Sequence, residues 1–273
     1  MNNATSISDF DFIRELVRRH AAIVLEADKD YLIETRLTPL ARRAGFASLA
    51  ALIASLRTGS VANSLCEQVI EAIVTHETSF FRDIYPFEAL KGLILPELLE
   101  RRQSSSLTIW CAACSSGQEP FSVAMLVREH FPAARNRVRI IATDLSGAIL
   151  ARARTGIYSQ IEVNRGLPAM LLTKYFQKQG LQWRIRPEIR QMVEFQQSNL
   201  AEPWPPIPPL DIVFIRNVLI YLDLEVRKTI LSKIRGILKP DGYLFLGSSE
   251  TTLNLDAGYE PVSIGKSVCY KLR

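Results

Sequence analysis

Four short apolar runs constrain this chain more than any other feature: LTIWCA (107–112), VRIIATD (138–144), LDIVFIRN (210–217) and GYLFLG (242–247). Each is rich in β-branched and aromatic residues, as a strand buried on both faces requires. Helical stretches separate them, among them EPFSVAMLVREHF and LEVRKTILSKIRGIL. A parallel neighbour needs a crossover, and a helix supplies it, so this alternation predicts a parallel, doubly wound α/β sheet. KSVCYKL (266–272) reads as a final edge strand. WRIRPEIRQMVEF (183–195) breaks the alternation and reads as a hairpin added to the main sheet. EPWPPIPP (202–209) reads as a loop.

The first seventy-five residues show no strand pattern and predict a small helical bundle. SDFDFIRELVRRH (8–20) places Phe12, Ile13, Leu16 and Val17 at helical spacing, with Ser8 as N-cap. DKDYLIETRLTPLARRAG (28–45) repeats the pattern with Tyr31, Leu32, Leu37 and Leu40, and Pro39 is expected to kink or divide that helix. SLAALIASLRTG and SLCEQVIEAIV complete the bundle.

Composition excludes several classes. At 273 residues, 48% hydrophobic and 22% charged, the chain is of globular type. The start is polar and acidic, unlike a secretory signal. The longest nearly apolar run, Phe46 to Leu56, is too short to span a bilayer. Four unpatterned cysteines suit a reducing compartment, so a cytoplasmic monomer is expected, without membrane insertion. The net charge of +5 invites a nucleic-acid partner. Yet eight Lys/Arg face nine Asp/Glu through Thr75, and no aromatic RNA motif or zinc finger accompanies the later excess, so none is expected.

WCAACSSGQEP (110–120) carries Cys111 and Cys114 at the spacing of a thiol or metal motif. A zinc site wants a second close Cys or His pair, and His20, His76 and His130 are scattered. A redox pair would open a helix, whereas these cysteines flank Ala112 and Ala113 at a strand end. They read as small packing residues, and no metal is expected. The loop that follows lies where a doubly wound sheet binds ligands. It lacks G-x-G-x-x-G, so pyrophosphate is poorly served. Asp144, twenty-seven residues after Gly117, ends the next strand and is placed to accept ribose hydroxyls. A nucleoside without phosphates fits, and S-adenosylmethionine is such a ligand.

Six motifs in one order carry a family resemblance: THETSFFRD (75–83), WCAACSSGQEPFS (110–122), IATDLS (141–146), ARARTGIYS (151–159), IRNVLIYLD (215–223) and LKPDGYLFLGSSE (238–250). Together they resemble the bacterial chemotaxis receptor-glutamate methyltransferases, over nearly the whole chain. The resemblance implies a class I methyltransferase fold with a small antiparallel β-subdomain inserted, preceded by an all-α N-terminal domain. It implies a helical domain over 1–75, a linker carrying cofactor-site residues over 76–90, and a catalytic domain over 91–273 with its insert at about 158–197. It also implies methyl transfer from S-adenosylmethionine to glutamate carboxylates on chemoreceptor cytoplasmic helices, giving γ-methyl esters and S-adenosylhomocysteine. The implied cofactor residues are His76, Thr78, Arg82, Glu119, Asp144, Asn199, Leu200, Arg216 and Asn217. Arg82 and Tyr221 are implied near the acceptor and the methyl group. His76 departs from a frequent asparagine, and Gln118 stands where a first glutamate is usual.

Structural alternatives stand beside these roles. Asp144 is also placed to cap the helix of DLSGAIL, and Glu119 to favour a helix first turn. Arg216 and Asn217 also suit an ordinary strand end, Arg82 a surface ion pair. Phe80 and Phe81 suit either core or an adenine wall. At the level of function, the alternatives are a methyltransferase for RNA or a small molecule, and a binding module that kept the fold without catalysis. Arg36, Arg42 and Arg43, on or beside one helix, are candidates for docking an acidic receptor surface. Some members of the family bind a pentapeptide at the receptor tail through a long, glycine-rich loop before the basic strand. Here Phe176 is followed only by QKQGLQW before Arg184, so no tail binding is expected.

Replacing both Cys111 and Cys114 with alanine should preserve cofactor binding and methyl transfer, at some loss of packing. A zinc assay of the native protein and activity under oxidising and reducing conditions check this. Bound zinc, or activity that tracks oxidation, would restore the thiol reading.

Overall fold

The computed structural model describes residues 7–59, 63–103 and 105–273. Its contacts divide the chain into two compact units. One comprises the chain up to Thr75 together with 221–226, the other residues 76–220 and 227–273.

The first unit is built from α1 (Ile7–Ala21), α2 (Asp30–Arg43), α3 (Leu49–Arg57) and α4 (Asn63–Ile73). Its core is Ile13 and Val17 of α1, Ile33, Leu37, Leu40 and Ala41 of α2, Leu49, Leu52 and Ile53 of α3, and Val69 and Ile73 of α4. Two expectations are corrected here. The first helix begins before Ser8, which lies inside it and accepts a hydrogen bond from Arg57. Tyr31 is exposed, and Ile33 takes the buried position instead. Pro39 does not divide α2. Buried residues on both sides of it keep the helix continuous despite the missing N–H. Arg36 donates to Ile73 O and to Thr75 Oγ1 (3.1 Å), so it ties α2 to the end of α4. The 221–226 segment completes this unit, with Val24 N–H donating to Tyr221 O at 2.8 Å and Asp223 N–H to Ala22 O at 3.0 Å.

The second unit opens with α5 (Tyr85–Ala89), which continues through a wide turn into α6 (Leu95–Arg101). Then come β1 (Leu107–Ala112), α7 (Gln118–His130), β2 (Val138–Asp144), α8 (Gly147–Thr155), β3 (Ile157–Ser159), α9 (Gln160–Asn164) and α10 (Ala169–Tyr175). The chain goes on through β4 (Phe176–Gln179), β5 (Gln182–Ile185), α11 (Pro187–Arg190), β6 (Val193–Gln197) and β7 (Leu210–Ile215). It ends with α12 (Leu224–Ile237), β8 (Leu238–Leu246), β9 (Tyr259–Ile264) and β10 (Ser267–Leu272). The main sheet runs β6-β2-β1-β7-β8-β10-β9. Its first five strands are parallel, and β10 and β9 are antiparallel. From β1 the chain steps outward to β2 and β6, then returns to β7 on the other side of β1. The switch point therefore lies between β1 and β7.

WRIRPEIRQMVEF is not a hairpin. WRI forms β5, while VEF begins β6, which joins the main sheet parallel beside β2 (Ile140↔Val193 to Asp144↔Gln197). Pro187 opens a helical turn between them, and Ile185, Ile189 and Val193 are all buried, which fixes the crossing. The hairpin is instead β4–β5, closed by Gly180 and Leu181, and with β3 it forms a separate antiparallel sheet, β3-β5-β4. Trp183 anchors it, donating to Gln160 Oε1 at 2.9 Å beneath Lys178.

At the amino ends of the strands, buried Asp211 receives Thr108 N–H, Arg102 and Lys239 at 2.8 to 2.9 Å. A buried carboxylate met by two cations and an N–H satisfies the condition for keeping a charge in the core.

Phe80 is fully buried, edge-on to Tyr158 (5.0 Å) and Phe176 (5.6 Å), so it is core and not a ligand wall. Its carbonyl presses on Gly166, where an added Cβ would lie 2.0 Å from Phe80 O. Gly166 also holds a left-handed φ of +80°. Gly166→Ala should therefore destabilise the protein by on the order of 2–4 kcal/mol, from left-handed strain plus the clash. Urea unfolding checks this, and an unchanged midpoint would contradict the packing described.

Candidate active site

The carboxyl ends of β1, β2, β6 and β7 converge on one edge of the sheet. β1 runs into a loop in which Ala113 (φ 53°), Ser115 (φ 50°) and Gly117 (φ 92°) are all left-handed. At Gly117 a Cβ would come within 3.1 to 3.3 Å of Phe121, Ala153 and Phe195, so glycine answers both conformation and space. Four hydrogen bonds, from β2, the His76 segment and the inserted sheet, hold the loop. Cys114 N–H donates to Thr143 O at 2.9 Å. Ser115 N–H donates to Asp144 Oδ2 at 2.8 Å, and Ser115 Oγ to His76 O at 2.8 Å. The buried Tyr158 hydroxyl donates to Ser116 O at 2.7 Å, so the inserted sheet grips the loop as well. Cys111 and Cys114 are buried, and burial pushes both thiols well above their ordinary range, against thiolate chemistry.

Asp144 ends β2 and is nearly buried. Oδ2 takes the Ser115 N–H, and Oδ1 takes the Ser146 N–H at 3.1 Å. The helix cap is not Asp144 but Ser146, whose hydroxyl accepts from Ile149 N–H. Burial pushes the Asp144 carboxyl up, opposed by the Ser146 and Ser115 N–H groups and by His76 nearby. The Leu145 N–H turns to the same carboxylate as well. A carboxylate has about four acceptor sites, so with three backbone donors one remains for a hydroxyl donor.

Arg216, just past β7, is buried and shared. Nη1 donates to Glu119 Oε2 at 2.9 Å. Nη2 donates to Asp83 Oδ2 at 2.7 Å and to Arg82 O at 3.0 Å. Its Nε is buried and meets no acceptor among the described residues. Burial pushes the Glu119 carboxyl up, against the pull of Arg216. Two acids around one guanidinium keep that charge tolerable. Glu119 and Arg216 are therefore an ion pair before any ligand is considered, which the sequence did not reveal.

The remaining predicted residues are spread around this edge. His76 meets the β1 loop through its carbonyl, and Arg82 Nη1 donates to Glu77 O at 3.2 Å. Thr78 is half-buried in the same segment. Asn199 and Leu200 follow β6, with Asn199 Oδ1 accepting from Ala201 N–H and Leu200 O from Trp204 Nε1. Asn217 is left-handed (φ 58°) just beyond β7. Tyr221 belongs to the first unit, and the other predicted site residues belong to the second. Glu250 went unassigned in the sequence reading although it ends the last quoted motif, and it proves to be the acceptor for the backbone around Asn217.

Two features favour a ligand with hydroxyls over one with phosphates: the remaining acceptor site on Asp144, and a β1 loop whose Cys114, Ser115 and Gly117 N–H groups are already bonded within the protein. Among the described residues no three His, Cys, Asp or Glu gather to hold a metal ion, and no helix is long and apolar enough to cross a membrane.

Comparison with known proteins agrees with this architecture. Residues 8–74 match the family model "CheR methyltransferase, all-alpha domain" and residues 76–267 match "CheR methyltransferase, SAM binding domain". Chemotaxis protein methyltransferase 1 of Pseudomonas aeruginosa is 41% identical over 271 residues, covering 97% of this chain and 98% of that protein. Chemotaxis protein methyltransferase Cher2 of Pseudomonas putida is 38% identical over 275 residues, covering 99% of this chain and 100% of that protein. Among solved structures, the glycopeptide N-methyltransferase MtfA complexed with S-adenosylmethionine aligns at a TM-score of 0.36 and 17% identity, over 63% of this chain and 55% of that one. With both of its domains matched and relatives aligned from end to end, the chain belongs to the CheR methyltransferase family of S-adenosylmethionine-dependent enzymes.

Proposed function

We propose that this enzyme methylates glutamate side-chain carboxylates on the cytoplasmic helices of chemoreceptors, giving γ-methyl esters. The observation that carries the reading is end-to-end kinship with chemotaxis methyltransferases, helical part included. A methyltransferase for RNA or a small molecule would not need that helical part. In this reading the protein is a cytoplasmic monomer, and residues 76–90 link its two domains while supplying site residues.

S-adenosylmethionine supplies a methyl group on a sulfonium centre, whose sulfur leaves as a neutral thioether. The acceptor glutamate, with an unperturbed pKa of about 4.3, is already ionised at neutral pH. The chain's residues then need neither deprotonate a nucleophile nor protonate a leaving group. Their task is alignment in a dry site. Asp144 accepts a ribose hydroxyl through its remaining acceptor site. The segment from His76 to Arg82, with Thr78 between, and Asn199 and Leu200 beyond β6 enclose the cofactor. Glu119, Arg216 and Asn217 complete its site on the β7 side. Arg82 orients the incoming carboxylate, and the Tyr221 hydroxyl lines its path. Each ester removes one negative charge from a receptor helix.

Receptor docking falls to Arg42 and Arg43, which are exposed at the end of α2, and not to Arg36, which is engaged within its own unit. The two-residue turn between β4 and β5 supports the tail-independent type, with no capture of a receptor-tail pentapeptide. The test is transfer of labelled methyl groups into receptor-containing membranes, with and without the receptor tail. Base-labile incorporation of equal rate on both is expected. Absence of incorporation would remove the function, and loss with the tail alone would make the hairpin a tether. Reversing Arg42 and Arg43 to glutamate should slow methylation most at low salt while cofactor affinity holds. Equal rates at low salt would count against docking there.

Asp144→Ala should weaken S-adenosylmethionine binding by about 1.5–3 kcal/mol, the scale of charge-assisted hydrogen bonds. The native affinity should also fall on acidification, beginning above the ordinary aspartate pKa of about 3.9. The sign follows from burial, which raises the folded pKa, while hydroxyl donors favour the ionised form. Any stability from the raised pKa is present at low pH and lost as pH rises through it, opposite in sense to ligand binding. Titration calorimetry across pH measures both effects, and an unchanged affinity in the folded variant would remove Asp144 from the site.

A further inference from the structure

We propose that Glu250 is a positioning residue whose carboxylate holds the exit of β7 in the conformation that presents Asn217. Oε2 takes the N–H groups of Gly247 (2.6 Å) and Asn217 (2.8 Å). Oε1 takes those of Val218 (2.9 Å) and Ile220 (3.3 Å). Four donors meet the four acceptor sites of one carboxylate. β7 has ended at Ile215 and β8 at Leu246, so these N–H groups have left the sheet's ladder, and Glu250 satisfies them instead.

The conformation held in this way is an uncommon one. Asn217 is left-handed, a region that few residues other than glycine enter and that asparagine enters most readily among them. The turn also needs room. A Cβ on Gly247 would lie 2.7 Å from Asn217 Nδ2 and 2.8 Å from Asn217 N. The segment GSSE thus contributes space through its glycine and acceptors through its glutamate. Its reach covers Asn217 and stops at Ile220, immediately before Tyr221. Arg216, with its bonds to Glu119 and Asp83, stands one residue before Asn217. Neither common substitute reproduces the arrangement. Glutamine would turn an amide donor toward two N–H donors, and aspartate is one methylene short.

The inference rests on the reading of the site above, so its test carries a separate control. Full-length Glu250→Gln and Glu250→Asp would be assayed for methyl transfer into receptor-containing membranes at saturating cofactor. Thermal unfolding and amide hydrogen exchange over 217–220 would be followed alongside. Expected are a kcat reduced about 10–100-fold for Glu250→Gln, partly recovered in Glu250→Asp, with faster exchange over 217–220 and little change in melting. A kcat that falls only with the folded fraction, or failure of both variants to fold, would assign Glu250 a structural role and overturn the inference. Asp144→Ala separates the two readings. If it leaves cofactor affinity intact, the site reading fails whatever Glu250 does. If it weakens affinity while Glu250→Gln keeps native kcat, the positioning inference alone fails.

Discussion

A buried guanidinium organises one edge of the sheet. Arg216 joins the end of β7, the first turn of α7 through Glu119, and the segment before α5 through Asp83 and the Arg82 carbonyl. Three stretches far apart in sequence meet at one charge. Such a charge is tolerable in the interior only if its partners are in place, and removing either acid would leave it undercompensated. The ion pair is therefore better read as a device for placement than as a source of net stability. It sets where the segment carrying His76, Thr78 and Arg82 meets the sheet.

The same edge concentrates backbone strain. Phe81, Asp83, Ala113, Ser115 and Asn217 are non-glycine residues in the left-handed region, and all lie in the loops that surround Arg216 and Asp144. Left-handed residues of this kind persist only where surrounding bonds over-determine them. Those bonds are present. Ser122 Oγ accepts from Phe81 N–H at 2.9 Å, Asp144 from Ser115 N–H, and Glu250 from Asn217 N–H. The task proposed for this edge is alignment, which benefits from loops fixed before the substrates arrive. The inserted sheet contributes to this fixing, since Tyr158 reaches Ser116 while packing on Phe80.

Much of this was legible in the sequence. β1 and β2 coincide with LTIWCA and VRIIATD because buried parallel strands are continuous apolar runs with polar boundaries. β9 was missed, since YEPVSI carries a proline and a mostly exposed face, and it becomes a strand only by pairing with β10. The edge expected at KSVCYKL is therefore taken by β9, and β10 lies inside it beside β8. The misread hairpin failed for a related reason. β5 and β6 have similar local patterns, and only their partners, β3 and β4 for one and β2 for the other, put them in different sheets. Pro39 shows the reverse case: of the two expected outcomes, a kink or a division, the division does not occur, and buried residues flank the proline on both sides.

The alternation of the main parallel strands with helices, the helical start, the loop after β1 and the acid ending β2 were determined by the sequence alone. They follow from periodicity and turn chemistry, which act over a few residues. Tertiary structure decided which charges meet. Glu119 and Arg216 are 97 residues apart, and Asn217 and Glu250 are 33 apart. Neither partnership has a local signature. A carboxylate pairs with whatever donor the sheet order brings within 3 Å or so, and that order is settled by long-range strand pairing and the common burial of a core.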